Sequence, residues 1–316
     1  MTVRHTRRTV RDFEIHTLAN DAISFSMAPA LGGRIVSMRD RVARREWLDG
    51  WAPASKRRIW HPTDPADYET GPGAGLDECL PTVLPCEVGG VSLPDHGELW
   101  NQTPEFEIGP QDGYFCRWSL RSLPLAFERR VSLAGDEIRF DYRLENLANT
   151  STFFLWAWHP LFTWKRGDQI RFAPSEKTCI SPGGEEVLPW PETHPGYDLS
   201  RAHFPNHATP AAKVFLGPLA DGVAEIRSQR GASLSLRWPS DQFSYAGIWI
   251  TRGFWKGLHH WAIEPTNAPV DRLSDLWQGA PPSLLPPREV CPWTIVVRLH
   301  DGTVDHGFSA AAPASE

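Results

Sequence analysis

Cysteine is scarce, and its pattern is unpaired. The 316-residue chain holds five, Cys79, Cys86, Cys116, Cys179 and Cys291, with no CxxC spacing among them. An odd count without that spacing indicates neither a disulfide framework nor a zinc knuckle, and reduced thiols in a cytoplasm fit best. Long apolar runs are also missing: nothing approaches the ~18 consecutive apolar residues of a membrane span. Residues 1–11 carry paired arginines but lack the apolar stretch of a secretory signal. A soluble cytoplasmic protein without a membrane partner is expected, with export through the twin arginines as the alternative. There is no basic excess either. A formal net charge of −6 argues against a nucleic-acid partner, and the short basic segment Arg4 to Arg11 does not reverse it.

Several chemical signatures are absent as well. The glycine-rich bend from Gly71 to Gly75 lacks a GK[ST] ending and leads into two acids that would repel a phosphate. No GxSxG elbow supports serine hydrolase chemistry. No HxH or HExxH spacing supports a metal centre, and His259 and His260 are neighbours whose side chains would leave a strand on opposite faces. No metal site is expected from spacing.

What the chain does have is hydrophobic bulk: 41% hydrophobic residues with 15 Trp and 15 Phe, enough for a sizeable core and some rings to spare. Apolar and polar residues alternate from Ala22 to Met27 and from Glu137 to Leu144, the period of half-buried strands. Two hairpins are expected: Phe127 to Leu133 joined to Glu137–Leu144 across Ala134-Gly135-Asp136, and Val223 to Arg227 joined to Ser233–Trp238 across Gln229-Arg230-Gly231. No helix-length 3.6-residue periodicity intervenes. With 29 Pro and 25 Gly scattered along the chain, the pattern predicts an all-β fold, a large antiparallel β-sandwich. It reads as one domain over residues 1–309 with a small, polar tail, 310–316, expected to be disordered. Three Pro-rich loops, 52–76, 181–207 and 267–288, are long enough to be functional or mobile.

Four places could carry chemistry. Glu264 follows an aromatic-rich apolar run and precedes Pro265, which is expected to end the strand and present the carboxylate at a strand mouth; it is either a general base or a salt-bridged strand end. His159, inside Phe153 to Phe162, is either a buried neutral core imidazole or a general acid. His96, beside Gly97, is either a solvated turn residue or a ligand contact. Asp77 and Glu78 either accept hydroxyl protons from a polyol or cap a turn.

Five segments in order resemble the aldose 1-epimerase (galactose mutarotase) family. They are Leu31 to Met38 with Arg45 to Leu48, Asp77-Glu78-Cys79-Leu80-Pro81-Thr82, Asp95 to Trp100 with its His-Gly pair, Trp158-His159-Pro160-Leu161-Phe162, and Ile263-Glu264-Pro265-Thr266. Each is short, but the five occur in order, and the resemblance covers most of the chain, roughly Phe13 to Arg298. The resemblance implies a β-sandwich that opens and recloses a sugar ring without metal or organic cofactor, as a monomer or homodimer. It implies Glu264 as general base, His159 as general acid and His96 as a ligand to the sugar. The chain departs from the best-known galactose mutarotases, which carry an arginine-containing motif before the His-Gly segment, where Asp77 and Glu78 stand here; their later aspartate has no evident counterpart. The sugar is therefore open. Asp77, Glu78, Trp100 and Trp249 are the expected ring contacts, and Arg252 would favour an anionic sugar, sulfonated or phosphorylated. A noncatalytic sugar-binding protein and a carbohydrate lyase of the same fold are the alternatives.

Overall fold

The computed structural model describes residues 2–301 apart from 11, 50–67, 69–70, 72, 110–112, 174, 177, 183–185, 195–196, 203–210, 256 and 277–283. The expected disordered tail and most of the 52–76 loop lie outside the described residues.

Period-two sequence becomes strand throughout. In Glu137–Asn146 the even positions Ile138, Phe140, Tyr142 and Leu144 are buried and the residues between them are not. Leu125–Ala134 pairs with it antiparallel over its full length, across a turn in which Gly135 takes φ +63°. The second expected hairpin forms from Val223–Arg227 and Ser233–Arg237. These four strands belong to an eight-stranded sheet in the order Gln169–Arg171, Val223–Arg227, Ser233–Arg237, Val290–His300, Glu137–Asn146, Leu125–Ala134, Gly113–Ser119, Glu105–Gly109. Against it lies a thirteen-stranded sheet, whose central run is Arg34–Asp40, Leu76–Cys79, Ala157–Pro160, His259–Thr266, Tyr245–Arg252 and Ala211–Leu216. The pairings between these strands are antiparallel. Among the described residues helix is confined to short turns such as Leu273–Leu276, and no helix is long and apolar enough to cross a membrane.

The core fills the space between the two sheets. Trp158 of the larger sheet meets Phe140 of the smaller edge-on at 5.6 Å between centroids, and Trp156 meets Trp293 at 5.0 Å. Trp47, Trp118, Trp156, Trp158 and Trp261 are among the largest fully buried side chains. Each such ring removed from water contributes on the order of 2–3 kcal/mol, which makes the inter-sheet layer the dominant stabilising element.

One expectation fails. Pro265 does not end its strand: His259–Thr266 runs through it, with Ala246 and Gly247 opposite Pro265 and Glu264. A proline is tolerated there because the neighbouring ladder is interrupted. On that side Trp261 pairs with Phe162 and Thr266 with Ala157, and Pro265 falls in the gap between them. Glu264 therefore sits mid-strand in the centre of a wide sheet, not at a strand mouth.

Candidate active site

Strand alternation decides which side chains meet. In the central run Val214, Ile248, Ile263, Trp158 and Glu78 point into the sandwich. Their neighbours Lys213, Trp249, Glu264, His159 and Asp77 point to the opposite face, as the registers Lys213↔Trp249, Gly247↔Glu264 and His159↔Asp77 require. On that outer face lies a cavity of about 330 Å³, lined by His96, His159, Lys213, Trp249, Trp255 and Glu264 together with Tyr68, Asp95, His260 and Asp271. Its size suits a single small ligand, and its walls are mainly aromatic with a few converging polar groups.

Glu264 is 1% exposed, and its Oε2 accepts a short hydrogen bond from the Lys213 ammonium. Its other oxygen, Oε1, is buried and makes no hydrogen bond among the described residues. Gly247 stands opposite; a Cβ there would come within 3.1 Å of Glu264 Oε2 and 3.2 Å of Lys213 Nζ, so a bare backbone leaves room for the pair. Lys213 also lies 3.6 Å from Asp271 Oδ1. Burial acts to raise the Glu264 carboxyl, but Lys213, with help from His159, outweighs it and holds the group below its usual range. For Lys213 the order is the same: burial lowers it, and Asp271 and Glu264 together push it above the ordinary ammonium value. The carboxylate is thus ionised, with one oxygen held and one free.

His159 Nδ1 faces Asp77 Oδ1 at 3.4 Å. Asp77 is buried and is bound on its other oxygen by Arg34, which also donates to the Ala74 carbonyl at 2.6 Å. Burial raises the Asp77 carboxyl, yet Arg34 and His159 bring it down to about 2. An ionised carboxylate can only accept, so the ring nitrogen beside it is the N–H, and Nε2 is left for other work. His96 repeats the arrangement, with Nδ1 2.9 Å from Asp95 Oδ1. Burial lowers its pKa, with His159 adding to the effect, and together they outweigh the opposing pull of Asp95.

The loop that carries His96 is held by its glycine. His96 has φ +57° and Gly97 φ +69°, and a Cβ on Gly97 would lie 2.1 Å from the Leu80 carbonyl oxygen. That close approach lets Glu98 N donate to Leu80 O at 2.8 Å, tying the loop to the strand Leu76–Cys79. The Glu98 carboxylate accepts from the Arg121 and Ser122 amides, which anchors the loop from behind. Tyr68 stacks on the His96 ring at 3.5 Å between centroids, and Trp255 lies parallel to Tyr68 at 6.0 Å.

Four of the eight residues singled out in the sequence line this cavity: His96, His159, Trp249 and Glu264. The other four need correcting as sugar contacts. Glu78 is adjacent to Asp77, so it must face the other way; it is buried between the sheets, bidentate to Arg129 Nη1 at 3.0 and 2.7 Å, and accepts from the Tyr142 hydroxyl at 2.8 Å. Trp100 is fully buried, donates its indole N–H to the Gly97 and Asp95 carbonyls, and supports Tyr68 edge-on at 5.0 Å. Asp77 faces the right side but lies beneath His159, with both oxygens engaged. Arg252 is exposed at the end of its strand and is not among the cavity-lining residues.

Lys213, Tyr68, Trp255 and Asp271 were not foreseen. Lys213 had a signal, because it is the one charge in Ala211-Ala212-Lys213-Val214-Phe215-Leu216, an apolar strand. The other three come from loops, where side-chain direction has no periodicity to read.

No protein-family model matches the sequence, and no curated protein matches it. Solved structures do match over nearly the whole chain. A galactose mutarotase-like protein from Clostridium acetobutylicum superposes with a TM-score of 0.67 at 13% identity, covering 95% of this chain and 99% of that one. A candidate aldose 1-epimerase from Klebsiella pneumoniae gives 0.68 at 15% identity, over 92% and 80%. A galactose mutarotase-like protein from Lactobacillus casei gives 0.64 at 17% identity, over 90% and 100%. A cavity flanked by histidines on the outer face of a wide antiparallel sheet, and these superpositions, together place the chain in the galactose mutarotase-like β-sandwich fold, in a sequence far diverged from those structures.

Proposed function

We propose that the protein is a cofactor-independent aldose 1-epimerase that interconverts the anomers of a free or modified hexose. The observation that supports this reading best is a buried, ionised carboxylate with one unengaged oxygen, Glu264 Oε1, facing the same cavity as His159. In this reading Glu264 removes the proton of the anomeric hydroxyl while His159 delivers a proton to the ring oxygen. The C1–O5 bond opens, the aldehyde rotates about C1–C2, and the reverse transfers close the other anomer. Asp77 holds the His159 ring in place, His96 contacts the sugar, and Trp249 and Trp255 supply flat apolar faces for its C–H surface. Each proton transfer is worth on the order of 10²- to 10⁴-fold, and fixed orientation adds to it.

A freshly dissolved pure anomer followed by optical rotation tests this directly. Acceleration over buffer is expected for at least one neutral or anionic aldose, and a flat result across a panel would sink the proposal. Binding without anomer exchange, seen by calorimetry and NMR on one sample, would mark a noncatalytic sugar-binding protein, and an ultraviolet-absorbing unsaturated product a lyase. The anionic-sugar alternative loses the residue that suggested it, since Arg252 lies outside the cavity lining.

The Lys213 pair carries a pH prediction. A base must be deprotonated to act, and Lys213 keeps the Glu264 carboxyl below its ordinary value of 4.5 against the opposing pull of burial. In Lys213→Met the burial effect remains and the largest lowering effect is gone, so the acid limb of the rate profile is expected to move to higher pH. Superimposable acid limbs in wild type and variant would show that the ammonium does not govern the base.

A further inference from the structure

We infer that Cys79, His96 and His159 form an inhibitory binding site for a borderline-soft divalent cation, Zn²⁺, at the floor of the cavity. Sequence spacing argued against any metal site. The fold nevertheless gathers these three from the strand Leu76–Cys79, the loop before Leu99–Asn101 and the strand Ala157–Pro160, and one donor atom from each lies within 4.8 Å of the other two. Tetrahedral zinc with Zn–S near ~2.3 Å and Zn–N near ~2.0 Å sets its donors about 3.3–3.6 Å apart, so a contraction of roughly 1 Å closes the site. Two of the donors sit on regular strands and the third on the loop tied to Leu80, so rotation of the side chains, not movement of the backbone, supplies that contraction.

A second observation points the same way. Both imidazoles have Nδ1 beside a carboxylate, His159 at 3.4 Å from Asp77 and His96 at 2.9 Å from Asp95. Such outer partners fix the ring orientation and leave Nε2 as the metal-facing lone pair. Cys79 is 1% exposed and is not among the cavity-lining residues, whereas His96 and His159 are, so the fourth coordination position opens towards the cavity. One thiolate with two imidazoles selects Zn²⁺ over the oxygen-seeking Mg²⁺ and Ca²⁺. Binding forms one metal–sulfur and two metal–nitrogen bonds. The thiol proton leaves to solvent, and no group changes oxidation state. Because the cation occupies the imidazole that the proposed epimerase reaction uses, it blocks turnover; that consequence rests on the proposed function, whereas the binding itself does not.

Titration of the full chain with Co²⁺, a spectroscopic substitute for Zn²⁺, tests the site independently of activity. One equivalent is expected to produce an intense near-ultraviolet sulfur-to-cobalt charge-transfer band, absent in Cys79→Ser and Cys79→Ala. Equilibrium dialysis with Zn²⁺ should show at least a ~10-fold weaker site in both variants, the least that even an outer-partner change costs. In the wild type Zn²⁺ should suppress mutarotation reversibly, with recovery on chelation, and more Zn²⁺ should be needed in the variants. No charge-transfer band, or Zn²⁺ affinity equal in wild type and in either folded variant, overturns the inference. If mutarotation is itself absent, the cobalt band still decides the site, so the two readings fail separately.

Discussion

Glu264→Gln is expected to lower the mutarotation rate by about 10²- to 10⁴-fold, the loss that follows removal of a positioned proton acceptor. Glutamine keeps the shape of the side chain and an oxygen for the Lys213 ammonium, and Lys213 keeps its second partner, Asp271, at 3.6 Å. What disappears is the negative charge and with it the basic lone pair on Oε1. The loss should therefore fall on kcat, with KM changed little, because the ground-state contacts with the sugar survive. Some stability will go as well, on the order of 1–3 kcal/mol, since a buried cation has lost a charged partner. Rates are best compared well below the thermal transition of the variant. A variant that turns over at the wild-type rate would falsify the assignment of Glu264 as the base. His159→Asn is the companion measurement, with a loss of similar order expected for the acid.

Glu78→Leu should be the most damaging single change to the fold, costing about 3–5 kcal/mol, because it strands the Arg129 guanidinium between the two sheets. Arg129 is 1% exposed, donates to the Gly33 carbonyl and lies over the Trp118 ring at 5.2 Å, so it has no route to water. Glu78→Leu with Arg129→Met should recover most of that loss, as well-packed apolar residues replace buried ion pairs at little or no net cost. Denaturant titration of the two singles and the double closes the cycle. Sugar binding in the double variant should match the wild type, because Glu78 faces away from the cavity. Unchanged stability in Glu78→Leu combined with lost sugar binding would reinstate Glu78 as a ring contact.

For a carboxylate in a strand, the face it takes is legible in the sequence and the partner it finds is not. Glu264 and Lys213 carry the same mark, a lone charge in an apolar strand, and by strand register they face one another's side of the sheet. Glu264 carries the stronger signal, because a proline and aromatic residues flank it. Asp77 and Glu78 cannot both contact one ligand, because adjacent residues on a strand face opposite ways. Trp100 could not have been placed so easily: nothing local distinguishes an indole that lines a cavity from one that props up the tyrosine beside it.

By itself the sequence determined the strands, the two hairpins, the all-β class and the identity of His96, His159 and Glu264 as candidates, because period two, turn glycines and lone polar groups in apolar runs are local signals. Only the tertiary structure decided that Pro265 lies inside a strand, that Lys213 holds the glutamate with Asp271 as its second partner, that Glu78 and Trp100 serve the core, and that Cys79 comes to lie beside two histidines. Those outcomes depend on which strand lies next to which and on how loops cross the sheet, and they are set by contacts between residues far apart in the chain.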